Sequence, residues 1–162
     1  VRDLVEGDAG SGEGPQFATA LHAVVELDTG RTRLASAGHP PPLVHRPGEG
    51  SRVATVPPGP PLGLGGGHPE TEFVLPEGGS LLLFTDGLVE DRSRDLDAGM
   101  GELAARLAEQ AGPEVAGVLA RILDGLRAGE AADDVAVVLV RRDGGPGWAP
   151  SQGADEPAHR DG

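Results

Sequence analysis

The sequence predicts an α+β fold built on antiparallel sheets, and three observations carry that reading. Short β-branched or alternating apolar runs fill the first half of the chain, two segments of helical periodicity follow, and one more apolar β-branched run comes after them. Strands grouped together and followed by helices favour an antiparallel α+β arrangement over a doubly wound parallel sheet, which would alternate strand and helix. With 162 residues the chain suits one domain.

Taken in order, residues 1–16 include a polar, glycine-rich run without strong periodicity and read as a loop or frayed end. Phe17 to Leu27 reads as a strand with Leu21, Ala23, Val25 and Leu27 on one face, and Asp28-Thr29-Gly30 turns it into a second strand, Arg31 to Ala37. Gly38-His39-Pro40-Pro41-Pro42 breaks the hairpin. Leu43 to Arg46 restarts as a strand, and Val53 to Val56 is the next candidate. The loop from Pro57 to Pro69 has too much Gly and Pro for a helix interior or a central strand. Glu72 to Leu75 and Leu81 to Thr85 flank the turn Pro76-Glu77-Gly78-Gly79 and read as a second hairpin.

The run Leu81-Leu82-Leu83-Phe84 is too short for an ordinary helix and lacks polar alternation, so it reads as a strand covered on both faces. Asp86 stands just past its end and Gly87 permits a sharp turn there. On its own, Asp-Gly is a common turn dipeptide. A second acidic pair, Asp133-Asp134, immediately precedes the apolar run Val135 to Val140. If the two strands are antiparallel neighbours, the end of the first lies beside the start of the second, bringing Asp86 and Asp133 to one edge. Carboxylates that close repel unless a cation lies between them. Oxygen ligands in a chain with no cysteine suit hard divalent ions such as Mg²⁺ or Mn²⁺.

Between these strands, Met100, Leu103, Ala104, Leu107, Ala108 and Ala111 repeat at helical spacing. Pro113 opens a second helix carrying Val115, Val118, Leu119, Ile122, Leu123 and Leu126. Both stripes read as ordinary core faces. Residues 143–162 are rich in Gly, Pro, Asp and Ser and read as a disordered tail.

Composition narrows the functional classes. A net charge of −13 disfavours nucleic acid or an anionic membrane as partner. Zero cysteines exclude disulfides, thiolate catalysis and zinc-thiolate sites. No apolar stretch approaches the ~20 residues of a membrane span, and no signal-peptide core is present, which reads as cytoplasmic. His39, in the loop after the first hairpin, either caps backbone groups or reaches a substrate phosphate.

Ala37-Gly38-His39-Pro40, Pro61-Leu62-Gly63, the segment Leu81 to Asp91, the two helices and the run Ala132 to Val140 occur in an order and spacing that resemble a known family. From about Phe17 to Arg142 the chain is similar to the C-terminal part of the SpoIIE-like bacterial branch of the metal-dependent PPM protein serine/threonine phosphatases. The resemblance implies an antiparallel β-sandwich flanked by helices over residues 17–142, with Mg²⁺ or Mn²⁺ ions held by aspartates at one edge. It further implies hydrolysis of phosphoserine or phosphothreonine by direct attack of water, with no catalytic residue beyond the metal ligands. Asp86 matches the aspartate of the family's Thr/Ser-Asp-Gly motif and Asp133 its final metal aspartate, with Gly87, Asp134 and His39 supporting. The usual substrates in this branch are phosphorylated regulatory proteins of the anti-sigma factor antagonist type.

The family's upstream strand aspartate and its Gly-Asp-x-x-Gly-His-Gly segment are not found in this sequence; Gly7-Asp8 is only a superficial echo. The resemblance therefore implies a domain whose N-terminal part is absent, with an upstream sensor segment or self-association as further partners. The alternative is a non-catalytic phosphatase-like module that binds such a regulatory protein without turning it over.

Overall fold

The computed structural model describes residues 17–90, 95–110, 115–126 and 134–143. Seven strands and two α-helices follow in the order β1 (Ala20–Val25), β2 (Arg31–Ala37), β3 (Leu43–Arg46), β4 (Gly50–Val53), β5 (Glu70–Val74), β6 (Ser80–Phe84), α1 (Leu96–Gln110), α2 (Val115–Leu126) and β7 (Val137–Arg141). One sheet has the order β1-β2-β5 and the other β4-β3-β6-β7, with every pairing between these strands antiparallel.

The strand period of two explains how the layers stack. In β6, Leu81 and Leu83 face the cluster formed with Leu34, Val44 and Leu75, whereas Leu82 and Phe84 face Met100, Leu103, Leu107, Val118 and Ile122 of the helices. β3 and β7 divide likewise: Val44 and Val140 face the three-stranded sheet, and Leu43, Val137 and Leu139 face the helices. The four-stranded sheet is thus the middle of three layers. A run with no polar alternation fits only there, since both its faces leave water.

Several expectations change on contact with the fold. The second hairpin does not exist: β5 pairs with β2 in the outer sheet, while β6 lies between β3 and β7 in the middle one. The physical reason is patterning, because β5 alternates exposed and half-buried residues and has one face to cover, unlike β6. The register sets Arg33 opposite Glu72, and ion pairs run diagonally from Arg31 to Glu72 at 3.0 Å and from Arg33 to Glu70 at 3.6 Å. The turn at 76–79 carries the chain between sheets, with Gly78 at φ +73° and its N–H donated to Arg142 O at 2.6 Å. The fourth strand is Gly50–Val53 and not 53–56, and β1 is shorter than 17–27, leaving Phe17 and Leu27 exposed. Ala108 also faces solvent. Residues 1–16, Asp91, Ala111, Asp133 and the tail after 143 lie outside the described residues.

Arg142, directly after β7, joins the layers at the end opposite the Asp-Gly turn. Its guanidinium donates to the carbonyls of Leu27 at 3.2 Å, Asp28 at 2.7 Å and Leu75 at 3.1 Å. Hydrogen bonds from a charged donor are the stronger kind, and these three fasten the β1–β2 turn and the end of β5 to the end of β7. Arg142→Ala is expected to cost about 1–3 kcal/mol of stability, read as a shift of the urea midpoint.

His45 in β3 is buried, and its Nδ1 shares a hydrogen bond with the Ser51 hydroxyl across the β3–β4 pair at 3.0 Å. Burial first, and the positive charge of Arg141 second, hold its imidazole below the usual histidine range. The unfolded chain therefore takes up this proton at higher pH than the fold does. Stability from this group is intact above the unfolded value of about 6.5 and declines as pH falls through it. His45→Asn, which keeps an amide toward Ser51, is expected to flatten the loss of stability on the acid side of neutrality, measured by denaturation at stepped pH.

Candidate metal centre

The site grows out of the end of β6. Antiparallel pairing runs to Phe84 opposite Val137, after which the Thr85 N–H still donates to Ala136 O at 3.0 Å. The Thr85 hydroxyl then substitutes for backbone: it donates to Asp134 O at 3.1 Å and accepts the Ala136 N–H at 2.9 Å. Three bonds from one threonine hold the end of β6 against the lead-in to β7. Asp86 follows on one strand and Asp134 precedes the other, so the two acidic segments arrive at the same edge of the sheet. Asp133, the neighbour of Asp134, lies outside the described residues.

Past Thr85 the chain makes a 3₁₀ turn, Asp86–Leu88. The Asp86 carbonyl accepts from Val89 N–H and Glu90 N–H, both at 2.8 Å, and its carboxylate accepts the Gly87 N–H at 3.0 Å. Leu88 and Val89 are buried in the core beneath α1, which pins the turn from below while Asp86 itself stays exposed. The helix comes close because Gly99 has no side chain: a Cβ there would collide with the Val89 carbonyl. Asp95 caps the start of α1, accepting the Ala98 N–H at 2.8 Å.

A cleft of about 420 Å³ opens beside the turn, lined by Ser36, Gly38, His39, Pro40, Pro41, Val56, Pro58, Gly59, Asp86, Glu90 and Leu96. Three prolines, Val56 and Leu96 make its apolar walls, and the carboxylates of Asp86 and Glu90 border it. Gly38 turns with φ +68° and sits so close to Pro61 that any Cβ would overlap the ring. The loop residue Gly59 accepts the Gly38 N–H at 2.8 Å. His39 places Nε2 3.0 Å from the Phe84 carbonyl and Nδ1 3.3 Å from the Thr19 hydroxyl.

Oxygen donors without thiols suit a hard divalent ion, and Asp86 with Glu90 at the cleft supplies part of such a set. Among the described residues no three histidine or acidic side chains converge into a cage. Glu90 escaped the sequence reading although it follows Asp86 by one helical turn, and Thr85 escaped it because its hydroxyl acts through pairing that only the fold creates. No helix among the described residues is long and apolar enough to cross a membrane.

The family model for Stage II sporulation protein E (SpoIIE) matches residues 2–143 of this chain, reaching upstream of Phe17. The chain belongs to the SpoIIE family. Its fold is similar to the RsbU and RsbW domains of Rv1364c from Mycobacterium tuberculosis, at 31% identity and a TM-score of 0.71, covering 77% of this chain and 36% of that one. It is similar to the phosphatase domain of the cell-fate determinant SpoIIE from Bacillus subtilis, soaked with Mn, at 16% identity and a TM-score of 0.63, over 80% of this chain and 58% of that one. It is also similar to RsbX in complex with magnesium, at 19% identity and a TM-score of 0.58, over 77% of this chain and 56% of that one. This SpoIIE-family chain thus has the PP2C-type phosphatase fold and spans less than two thirds of the length of these proteins.

Because the turn carrying Asp86 is braced by α1 through Gly99, Gly99→Ala should push helix and turn apart. We expect a stability loss of about 1–3 kcal/mol, the usual range for overpacking a close contact, measured by urea denaturation. Gly101→Ala, where a Cβ would meet nothing within 4 Å, is the control and should be neutral or slightly stabilising.

Proposed function

We propose that this SpoIIE-family chain contributes one side of the metal centre of a Mg²⁺- or Mn²⁺-dependent phosphatase. Its substrate would be phosphoserine or phosphothreonine on a cytoplasmic regulatory protein of the anti-sigma factor antagonist type. The observation that carries this reading is the Thr85 stitch, which sets the Asp86 turn and the acidic segment before β7 at one edge of the middle sheet. The Mn-soaked SpoIIE domain and magnesium-bound RsbX among the structural neighbours support the choice of ion. The RsbU and RsbW domains in another support a regulatory protein as partner.

Asp86 and Asp133 are assigned as the ligands, with Asp134, Gly87 and Glu90 around them. Divalent ions held there would supply Lewis acidity for activating water and positive charge for the phosphoryl oxygens. The chain's own part is to hold Asp86 on a turn anchored in the core by Leu88 and Val89 and to wall the adjoining cleft with Pro40, Pro41 and Pro58. A wall of prolines beside the ligands would restrict how a phosphorylated side chain enters, and positioning of that kind lowers the barrier to in-line attack.

Calorimetric titration of Mn²⁺ into the chain, its Asp86→Asn variant and its Asp133→Asn variant tests the assignment. Loss of either carboxylate should weaken binding by at least about 1 kcal/mol, whereas an exposed aspartate remote from the edge, such as Asp28, should change little. Equal binding by all variants would sink the metal assignment, and with it the proposed chemistry.

A further inference from the structure

We propose that His39 is a positioning residue for Asp86, standing in for a backbone donor that the sheet is unable to provide. This rests on the metal-centre reading for its functional meaning but on the backbone for its geometry. The β3–β6 register pairs Leu43 with Leu82 and Val44 with Leu81, so Pro41 falls opposite Phe84. Strand residues alternate the edge to which their N–H and C=O point. Thr85 directs its N–H to the β7 side, which turns the Phe84 carbonyl toward β3. There it meets a proline, which has no N–H. Phe84 is buried at 4% exposure, so water is a poor substitute, and buried carbonyls left unpaired are rare.

His39 fills the gap with Nε2, 3.0 Å from Phe84 O. The ring is set for this role. The Thr19 hydroxyl lies 3.3 Å from Nδ1, and donating to it leaves the proton on Nε2, the nitrogen that faces the carbonyl. The backbone of His39 is fastened as well: Ser36 Oγ donates to His39 O at 2.9 Å and accepts its N–H at 3.2 Å. His39 follows β2 in the outer sheet and Phe84 ends β6 in the middle sheet, so the bond ties the two layers together two residues before Asp86. Thr85 holds the same turn from the β7 side. The aspartate is thereby gripped from both flanks, and second contacts of this kind are what keep a ligand in its productive orientation.

Two measurements on the full chain, made with His39→Leu and His39→Gln, test the inference. Glutamine can still donate an N–H to the carbonyl; leucine fills space and donates nothing. In His39→Leu, amide exchange at Thr85, Val89 and Glu90 should speed up about tenfold or more while Leu103 in α1 keeps its protection, and Mn²⁺ affinity should fall about tenfold, the low end for such partners. His39→Gln should restore both toward wild type. The inference is overturned if His39→Leu leaves exchange in the turn unchanged, if it loosens Leu103 equally, or if glutamine behaves like leucine. It is also overturned if Mn²⁺ binding ignores His39→Leu while Asp86→Asn abolishes it. Should Asp86→Asn itself leave Mn²⁺ binding intact, the metal assignment fails, and the exchange measurement alone decides whether His39 holds the turn.

Discussion

The fold depends on one constraint: β6 has no polar face. Ser80 to Phe84 must be covered above and below, and the three-layer stack is the response, with the three-stranded sheet on one side and two helices on the other. Removing two apolar faces from water in one short strand is worth several kcal/mol by area. Burial alone does not fix register here, since a slip of one residue would exchange the two faces without exposing either; the fit of Leu82 and Phe84 against the helices and of Leu81 and Leu83 against the other sheet has to do so. The site inherits its rigidity from this burial. Asp86 is exposed, but the residues on both sides of it, Phe84 and Leu88, are part of the core.

Function then concentrates where that strand runs out of partners. Beyond Leu82, β3 offers prolines, and beyond Phe84 the β7 ladder gives way to a threonine side chain. At the same edge the chain needs a sharp turn, an exposed carboxylate and a neighbouring cleft, all incompatible with a regular ladder. Side-chain hydrogen bonds from Thr85, Ser36 and His39 take over from backbone ones. Irregular backbone held by side chains on a rigid sheet is where binding groups are commonly displayed.

Much of this was legible in the sequence because patterning and burial coincide. The bounds of β2 and β3, the doubly covered β6 and both helices follow from period and apolarity, whereas the β6–β7 adjacency stood only as a condition until the fold supplied it. The turn at 76–79 was misread because Pro-Glu-Gly-Gly is equally suited to a hairpin and to a crossing between sheets; only the one-faced pattern of β5 against the two-faced pattern of β6 separates the cases. Asp86 was placed at the strand end by the abrupt stop of the Leu-Leu-Leu-Phe run. Thr85 and Glu90 were passed over, since a hydroxyl that bonds backbone 49 residues away and a carboxylate brought round by a 3₁₀ turn leave no periodic trace. His39 read as capping backbone groups or reaching a phosphate, but the carbonyl it meets, Phe84 O, could not be named, because the missing N–H it answers depends on Pro41 falling opposite Phe84, which no local pattern announces.

Arg142 carries a consequence for how the molecule assembles. Its acceptors in the β1–β2 turn are 114 and 115 residues away along the chain, and β7 itself pairs with a strand more than fifty positions earlier. Contacts this distant must overcome the entropy of closing long loops, which places the topology among those that fold slowly. Until β7 arrives, one flank of β6 presents bare, strongly apolar backbone, the kind of surface that captures other chains. A chain in which β7 has not yet paired therefore offers the β6 flank to its neighbours, and covering that flank while the chain folds would leave the finished fold untouched.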